Sequence, residues 1–130
     1  MEKKFYKKII AQNKNDLRII SALSTEAEVI QGNIKYLKEN KIFLLPIKRN
    51  NKELNRSNKI VNSIIKFEFI EKSMSKNIDQ KKKENILQLL AIEQLKRNNN
   101  NEIILLFSNN ATITLSTEIV DVTLEDIIEK

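Results

Sequence analysis

The sequence predicts a single α+β domain: a curved or barrel-like antiparallel sheet of about six strands, with an early helix and a short C-terminal helix. Three observations carry this expectation. First, the apolar runs Ile86–Ile92, Ile103–Phe107 and Ala111–Leu115 are separated by the polar stretches Lys96–Asn101 and Ser108–Asn110. Short β-rich runs joined by Asn-rich turns read as an antiparallel meander, because Asn tolerates the positive φ that tight hairpins need. Second, Leu17, Ile20, Leu23 and Ala27 fall on one face of a helix over residues 16–28. Third, 130 residues with a 41% apolar share suffice for one core, with no repeat or composition break marking a second domain.

Taken in order, Lys3–Ala11 carries Phe5, Ile9 and Ile10 and reads as a first strand. Asn13 or Asn15 can cap the helix that follows, and Asp16 in its first turn suits the helix dipole. Gly32-Asn33 ends this segment, with Gly32 suited to a left-handed or tight turn. Ile34–Leu37 and Ile42–Ile47 flank Lys38–Lys41 as a hairpin, and Pro46 lacks a ladder donor, which favours a sheet edge or strand end.

Arg49–Lys59 is polar and aperiodic and reads as a loop. Ile60–Ile70 reads as a strand with Ile65, Phe67 and Phe69 on one face and Ile64, Lys66, Glu68 and Ile70 on the other. Glu71–Lys83 reads as a second polar loop that ends in Gln80-Lys81-Lys82-Lys83. Asn85–Leu95 supports two readings. Its Leu, Gln, Ala and Glu favour a helix, whereas Glu102–Phe107 needs an antiparallel neighbour across the Asn turn. The strand is preferred. At the end of the chain, Thr123-Leu124-Glu125-Asp126 resembles a capping box for a short helix holding Leu124, Ile127 and Ile128 inward.

Charge is placed unevenly. The net charge is +6, but residues 101–130 hold six acids and one base, a net −5, which leaves +11 on residues 1–100. A basic body either attracts a polyanion or is balanced internally. The abundance of Asn, Lys and Ile follows what an AT-rich genome encodes, which tempers the first reading. No Cys is present, so disulfides and thiolate chemistry are excluded. No run approaches the roughly 18 to 20 apolar residues that span a bilayer. The basic N-terminus lacks a signal peptide's apolar core, and a cytoplasmic protein without a membrane role is expected.

The order of motifs resembles a known family. The resemblance runs from Asp16-Leu17 and Ile20-Ser21-Ala22 through Glu26-Ala27 and Gly32-Asn33-Ile34-x-Tyr36-Leu37. It resumes at Lys41-x-Phe43, Arg49 with Glu53, Phe67-Glu68 and Leu89-Leu90-Ala91-Ile92. It closes at Leu106-Phe107, Ala111-x-Ile113-x-Leu115 and Leu124-Glu125-Asp126. In this collinear set the chain resembles an alphaproteobacterial family of uncharacterised proteins, domain of unknown function twenty-nine forty-eight. The chain departs from the family pattern at Asn50, Asn51 and Lys52, where aromatics are usual, at Leu23, where His is frequent, and at Asn77, which replaces a turn Gly. It also lacks the family's Trp-bearing tail after Lys130. The resemblance implies a single cytoplasmic domain with an extended Leu89–Ile92 segment. It carries no activity.

Chemistry is sparse. Without His or Cys the usual zinc ligands and triad bases are missing. Glu118, Asp121, Glu125 and Asp126 lie close in sequence, and a solvated face is the plainer reading than a metal site, since no oxygen-rich Gly loop accompanies them. One Gly cannot build a phosphate-cradling loop. Ser21, Ser24 and Thr25 lack a base, and nothing positions Glu68 with Glu71 or Glu93. No cofactor is expected.

The candidate nucleic-acid contacts are Lys3, Lys4, Lys7 and Lys8 around Phe5 and Tyr6, and Lys81, Lys82 and Lys83 in the second loop. Cations would meet phosphates, and Phe5, Tyr6 and Tyr36 would supply stacking. The leading expectation is a non-catalytic binding or scaffolding module for a protein partner. The alternative is an RNA-associated accessory protein. The order of strands and closing helix invites comparison with pleckstrin-homology-like barrels, as fold analogy alone.

Overall fold

The computed structural model describes residues 7–50 and 60–127. In chain order these form β1 (Lys8–Ala11), α1 (Lys14–Ser24), β2 (Ala27–Ile30), β3 (Lys35–Leu37), β4 (Ile42–Asn50), β5 (Ile60–Phe67), β6 (Ile70–Lys76), β7 (Ile86–Arg97), β8 (Asn100–Phe107), β9 (Thr112–Thr117) and β10 (Val122–Asp126). All ten strands join one antiparallel sheet in the order β1-β10-β5-β4-β2-β7-β8-β9-β6, with β3 also on β4. The expected six strands become ten, and the sheet is open, ending at β1 and β6.

Its inner face holds the core. Phe43, Leu45 and Ile47 alternate inward on β4, Ile65 and Phe67 on β5, Ile103, Leu105 and Phe107 on β8, and Val122 and Leu124 on β10. Helix α1 closes part of this face with Leu17 and Ile20. Asn13 caps it: its Oδ1 accepts from the Asp16 N–H at 2.9 Å. The helix stops at Ser24, whose hydroxyl donates to the Ile20 carbonyl. Glu26 then takes φ 70°, and Ala27 and Val29 turn inward at a period of two. The helical spacing that included Ala27 thus ran one element too far, because β2 is held by ladders to both β4 and β7.

Three other expectations are corrected. The C-terminal helix is strand β10, since Val122, Leu124 and Asp126 face inward while β10 pairs with β1 and β5 on either side. Residue 128 of the expected helix lies outside the described residues. The polar loop Glu71–Lys83 begins as strand β6, an edge strand whose exposed side chains leave no alternating apolar signal. The loop expected over Arg49–Lys59 begins later than Arg49, because β4 runs through Asn50, and residues 51–59 fall outside the description. The extended reading of Asn85–Leu95 agrees with β7, which pairs with β2 and β8 and carries an irregularity between Leu89 and Ala91.

Turns follow the Asn pattern: Asn77, Asn98, Asn109 and Asn110 all have positive φ. Phe69 does too, at 60°, and its backbone oxygen accepts from the Thr117 hydroxyl at 2.8 Å. That twist exposes Phe69 and buries Ile70, reversing their expected faces. Gly32 lies in a short turn, Gln31–Asn33, but does not use the left-handed region. Its N–H donates to the Lys83 carbonyl at 2.7 Å, and a Cβ there would stand 2.9 Å from the same oxygen. Close approach, not positive φ, is what requires Gly. Gly32→Ala and Gly32→Asn should therefore both lose about 1–3 kcal/mol, the usual cost of overpacking. A left-handed site would accept Asn, so an unchanged denaturation midpoint for Gly32→Asn would refute the close-approach account.

Candidate functional site

The most polar buried cluster joins three strands. Arg49 follows Phe43, Leu45 and Ile47 in the inward alternation of β4 and is 1% exposed, while Ser63 on β5 is 0% and Asp126 on β10 is 5% exposed. Arg49 Nη2 donates to both Asp126 carboxylate oxygens, at 3.0 and 3.1 Å, and Arg49 Nε donates to Ser63 Oγ at 3.1 Å. Ser63 Oγ in turn donates to Asp126 Oδ1 at 2.7 Å, and the Lys7 backbone N–H to Oδ2 at 3.1 Å. A buried ion pair offsets its desolvation only when its remaining polar groups are bonded, as they are here. Its bonds join four strands, so it serves as a clamp on β1, β4, β5 and β10. A lone Arg continuing an inward apolar alternation was the available sequence signal, and reading Arg49 as the start of a loop hid it.

The candidate site lies between α1 and β7. β2 accompanies β7 from Ile86 to Leu89, where the Glu26 N–H donates to the Leu89 carbonyl at 2.7 Å. Beyond Leu89 the register with β8 shifts, and β7 continues to Arg97 without a second strand beside it among the described residues. Helix α1 faces that edge instead. Its Ser21 Oγ accepts from the Ile92 N–H at 2.9 Å. Antiparallel ladders alternate, so the N–H and C=O of Gln94 point the same way as those of Ile92, toward the helix side.

Between helix and strand runs a groove of about 370 Å³ lined by Lys14, Leu17, Arg18, Ser21 and residues 91–95. Leu17 and Ile92 form its apolar floor, Lys14 and Arg18 its basic rim, and Glu93 is its acidic member. The Gln94 side chain donates to Asn101 Oδ1 at 3.1 Å, while its own oxygen is buried without a partner among the described residues. A larger depression of about 570 Å³ overlies Leu44, Ile64, Lys66, Thr123 and Glu125. The strands beneath it are each paired on both sides, so it offers side chains and no open backbone.

Of the expected nucleic-acid contacts, Lys3 and Lys4 lie outside the described residues. Lys7 precedes and Lys8 begins the edge strand β1, and Lys81, Lys82 and Lys83 form an exposed turn held against Gly32. Lys7 and Lys8 thus belong to the β1 edge, and Lys81, Lys82 and Lys83 to the turn before β7. Tyr36 does not stack outward: its hydroxyl donates to the Ile70 carbonyl at 2.9 Å and its ring meets Phe43 at 6.3 Å between centroids. Asn77 turns at φ 62° and donates from Nδ2 to the Asn110 carbonyl. Asp126 and Glu125 point to opposite faces of β10, and among the described residues no group of carboxylates could hold a metal ion. No helix among them is long and apolar enough to cross a membrane.

A family model described as Protein of unknown function (DUF2948) matches residues 7–130. The chain belongs to the DUF2948 family. The match takes in all the described strands, so the Arg49 clamp and the α1–β7 groove both lie within the DUF2948 unit. No curated protein and no solved structure matches this DUF2948 chain.

Proposed function

We propose that the chain is a non-catalytic binding module that captures an extended segment of a protein partner along the uncovered edge of β7. The observation behind this reading is that β7 runs on from Leu90 to Arg97 past its last pairing with β2, with a helix across a groove beside it. An unpaired strand edge is a template for a further strand, with main-chain hydrogen bonds giving affinity and alternate side-chain pockets giving selectivity. Leu17 and Ile92 would take one apolar side chain, and the basic rim of Lys14 and Arg18 favours an acidic segment. A Cys-free sequence fits a cytoplasmic setting.

A random peptide library displayed on phage tests this. Selection against the protein should enrich acidic segments lacking Pro at the docking positions. Arg18→Glu should weaken the enriched peptides about tenfold, the order of one lost close charge contact. Gln94→Pro removes an N–H from the groove side, so it should abolish binding while β7 keeps its ladder to β8. Peptides that bind both variants as well as wild type would overturn the proposal. So would submicromolar binding to single-stranded RNA that persists at physiological salt and is lost when Lys3, Lys4, Lys7 and Lys8 become Gln, since non-specific association is far weaker, at roughly 10⁻⁴ to 10⁻⁶ M.

A further inference from the structure

Helix α1 packs against the inner face of the sheet. Among the described residues no element covers the outer face of β4, β5 and β10. That face carries Leu44, Pro46 and Ile64 half-buried, and Ile127 43% exposed. The ladders set their neighbours. In one row Pro46 lies opposite Ile64, and Ile64 opposite Glu125. In the next row Leu44 lies opposite Lys66, and Lys66 opposite Thr123. Lys66 and Glu125 thus hold one diagonal of a four-residue rectangle, and Ile64 and Thr123 hold the other.

The relief of this face matches its charge pattern. Ile127 continues β10, its N–H donating to the Asn62 carbonyl at 2.8 Å. Alternation then sets its side chain on the outer face beside Glu125. Ile127 borders two hollows: the one of about 570 Å³ over Leu44 and Ile64, and one of about 210 Å³ that includes Pro46 and Lys48. The smaller hollow has a local cause. β2 and β4 share one paired row, Glu28 with Lys48, and Pro46 beyond it has no N–H to extend the ladder. A protruding apolar side chain therefore stands between hollows, next to a cation and an anion on crossed corners. A face of one sign would repel its own copy in a chain of net charge +6, whereas this one carries both signs.

We propose that this face is the contact between two copies of the chain, related by a two-fold axis in the contact plane along the Ile64–Thr123 diagonal. With strands about 4.8 Å apart and a two-residue step of about 6.8 Å, rotation about that diagonal carries Lys66 nearly onto the Glu125 position. Lys66 of each copy then faces Glu125 of the other, and Ile64 faces its own counterpart. Ile127 falls toward Pro46 of the other copy and enters the hollow beside it. The two sheets cross steeply, as in orthogonal sheet packing. A two-fold contact has to be self-complementary, and the crossed charges and the side chain between hollows meet that condition on one surface. The contact is separate from the α1–β7 groove and does not depend on it.

Sedimentation equilibrium of the purified chain over about 1 to 300 μM tests this, with an expected dimer dissociation constant of about 10 μM for a contact only about 20 Å across. Ile64→Lys sets like charges against each other on the axis and should leave a monomer throughout that range. Lys66→Glu and Glu125→Lys should each weaken association about tenfold, the order of one close charge contact. The chain carrying both changes should recover to within about threefold of wild type, because the crossed pairs re-form with their signs exchanged. Circular dichroism melts at low concentration show whether each variant is folded, so that lost association is not mistaken for unfolding. Gln94→Pro, at the β7 edge, should associate as wild type does. A monomer at the highest concentration would overturn the proposal, as would a dimer that survives Ile64→Lys. So would a double charge exchange no better than either single change, or a dimer lost in folded Gln94→Pro, which would move the contact to the β7 edge.

Discussion

Arg49→Met is expected to lower the unfolding free energy by about 3–5 kcal/mol, because it strands the Asp126 carboxylate in a dry interior. Asp126 would keep the Ser63 hydroxyl and Lys7 N–H as donors but lose its counter-charge. The change should move the urea midpoint strongly and lower the melting temperature by roughly 10 °C or more. Replacing both partners, as Arg49→Met with Asp126→Leu, should restore roughly half of that loss or better, since a buried ion pair is often matched by well-packed apolar side chains. A single variant as stable as wild type would mean that the pair does not clamp β4, β5 and β10.

Phe67→Ala carries the second large effect, about 3–5 kcal/mol by loss of buried surface and creation of a cavity. Phe67 is fully buried, lies opposite both Phe43 and Val122 in the ladders, and meets the Phe43 ring edge-on at 5.9 Å. The informative comparison is Phe69, two residues on. Plain alternation would give the two rings one face and similar costs. With φ at 60° and its ring half in solvent, Phe69 should instead accept Asn within about 0.5 kcal/mol, since Asn suits that backbone. Chemical denaturation of the two variants side by side separates these outcomes. Equal, large losses would contradict the twist at Phe69.

The same contrast marks what could be read in the sequence. β7, β8 and β9 were legible because dense apolar runs alternate with Asn turns, and the hairpin of β3 and β4 for the same reason. Asn13 and Asp16 announced the start of α1. Its end was not legible, because Leu17, Ile20, Leu23 and Ala27 satisfy a helical period, while only ladders from distant strands turn Ala27 and Val29 into β2. β6 was hidden by its position at an edge, where Lys72, Met74 and Lys76 are exposed and no apolar face is needed. β10 was hidden by its inward Asp126, which looks like a capping residue until Arg49 is placed opposite it.

Of the α1–β7 groove the sequence held even less. Its key fact is the point where β2 parts from β7, and register is a property of strand pairs. Lys14, Arg18 and Ser21 are ordinary helix residues until the helix is laid along an open edge. Ser21 shows the change best: without a nearby base it offered no chemistry, yet its hydroxyl satisfies the Ile92 N–H that a strand would otherwise have taken.

Residue-resolved amide hydrogen exchange tests the open edge most directly. In the protein alone, the Gln94 amide should exchange quickly although it lies within a long strand, while its neighbours paired to β8 and the Leu89 region paired to β2 exchange slowly. Adding a saturating acidic peptide selected on the protein should slow Gln94 exchange about tenfold or more, as a new ladder bond protects it. A Gln94 amide already protected in the protein alone, or one unchanged when the peptide is bound, would contradict strand addition at β7.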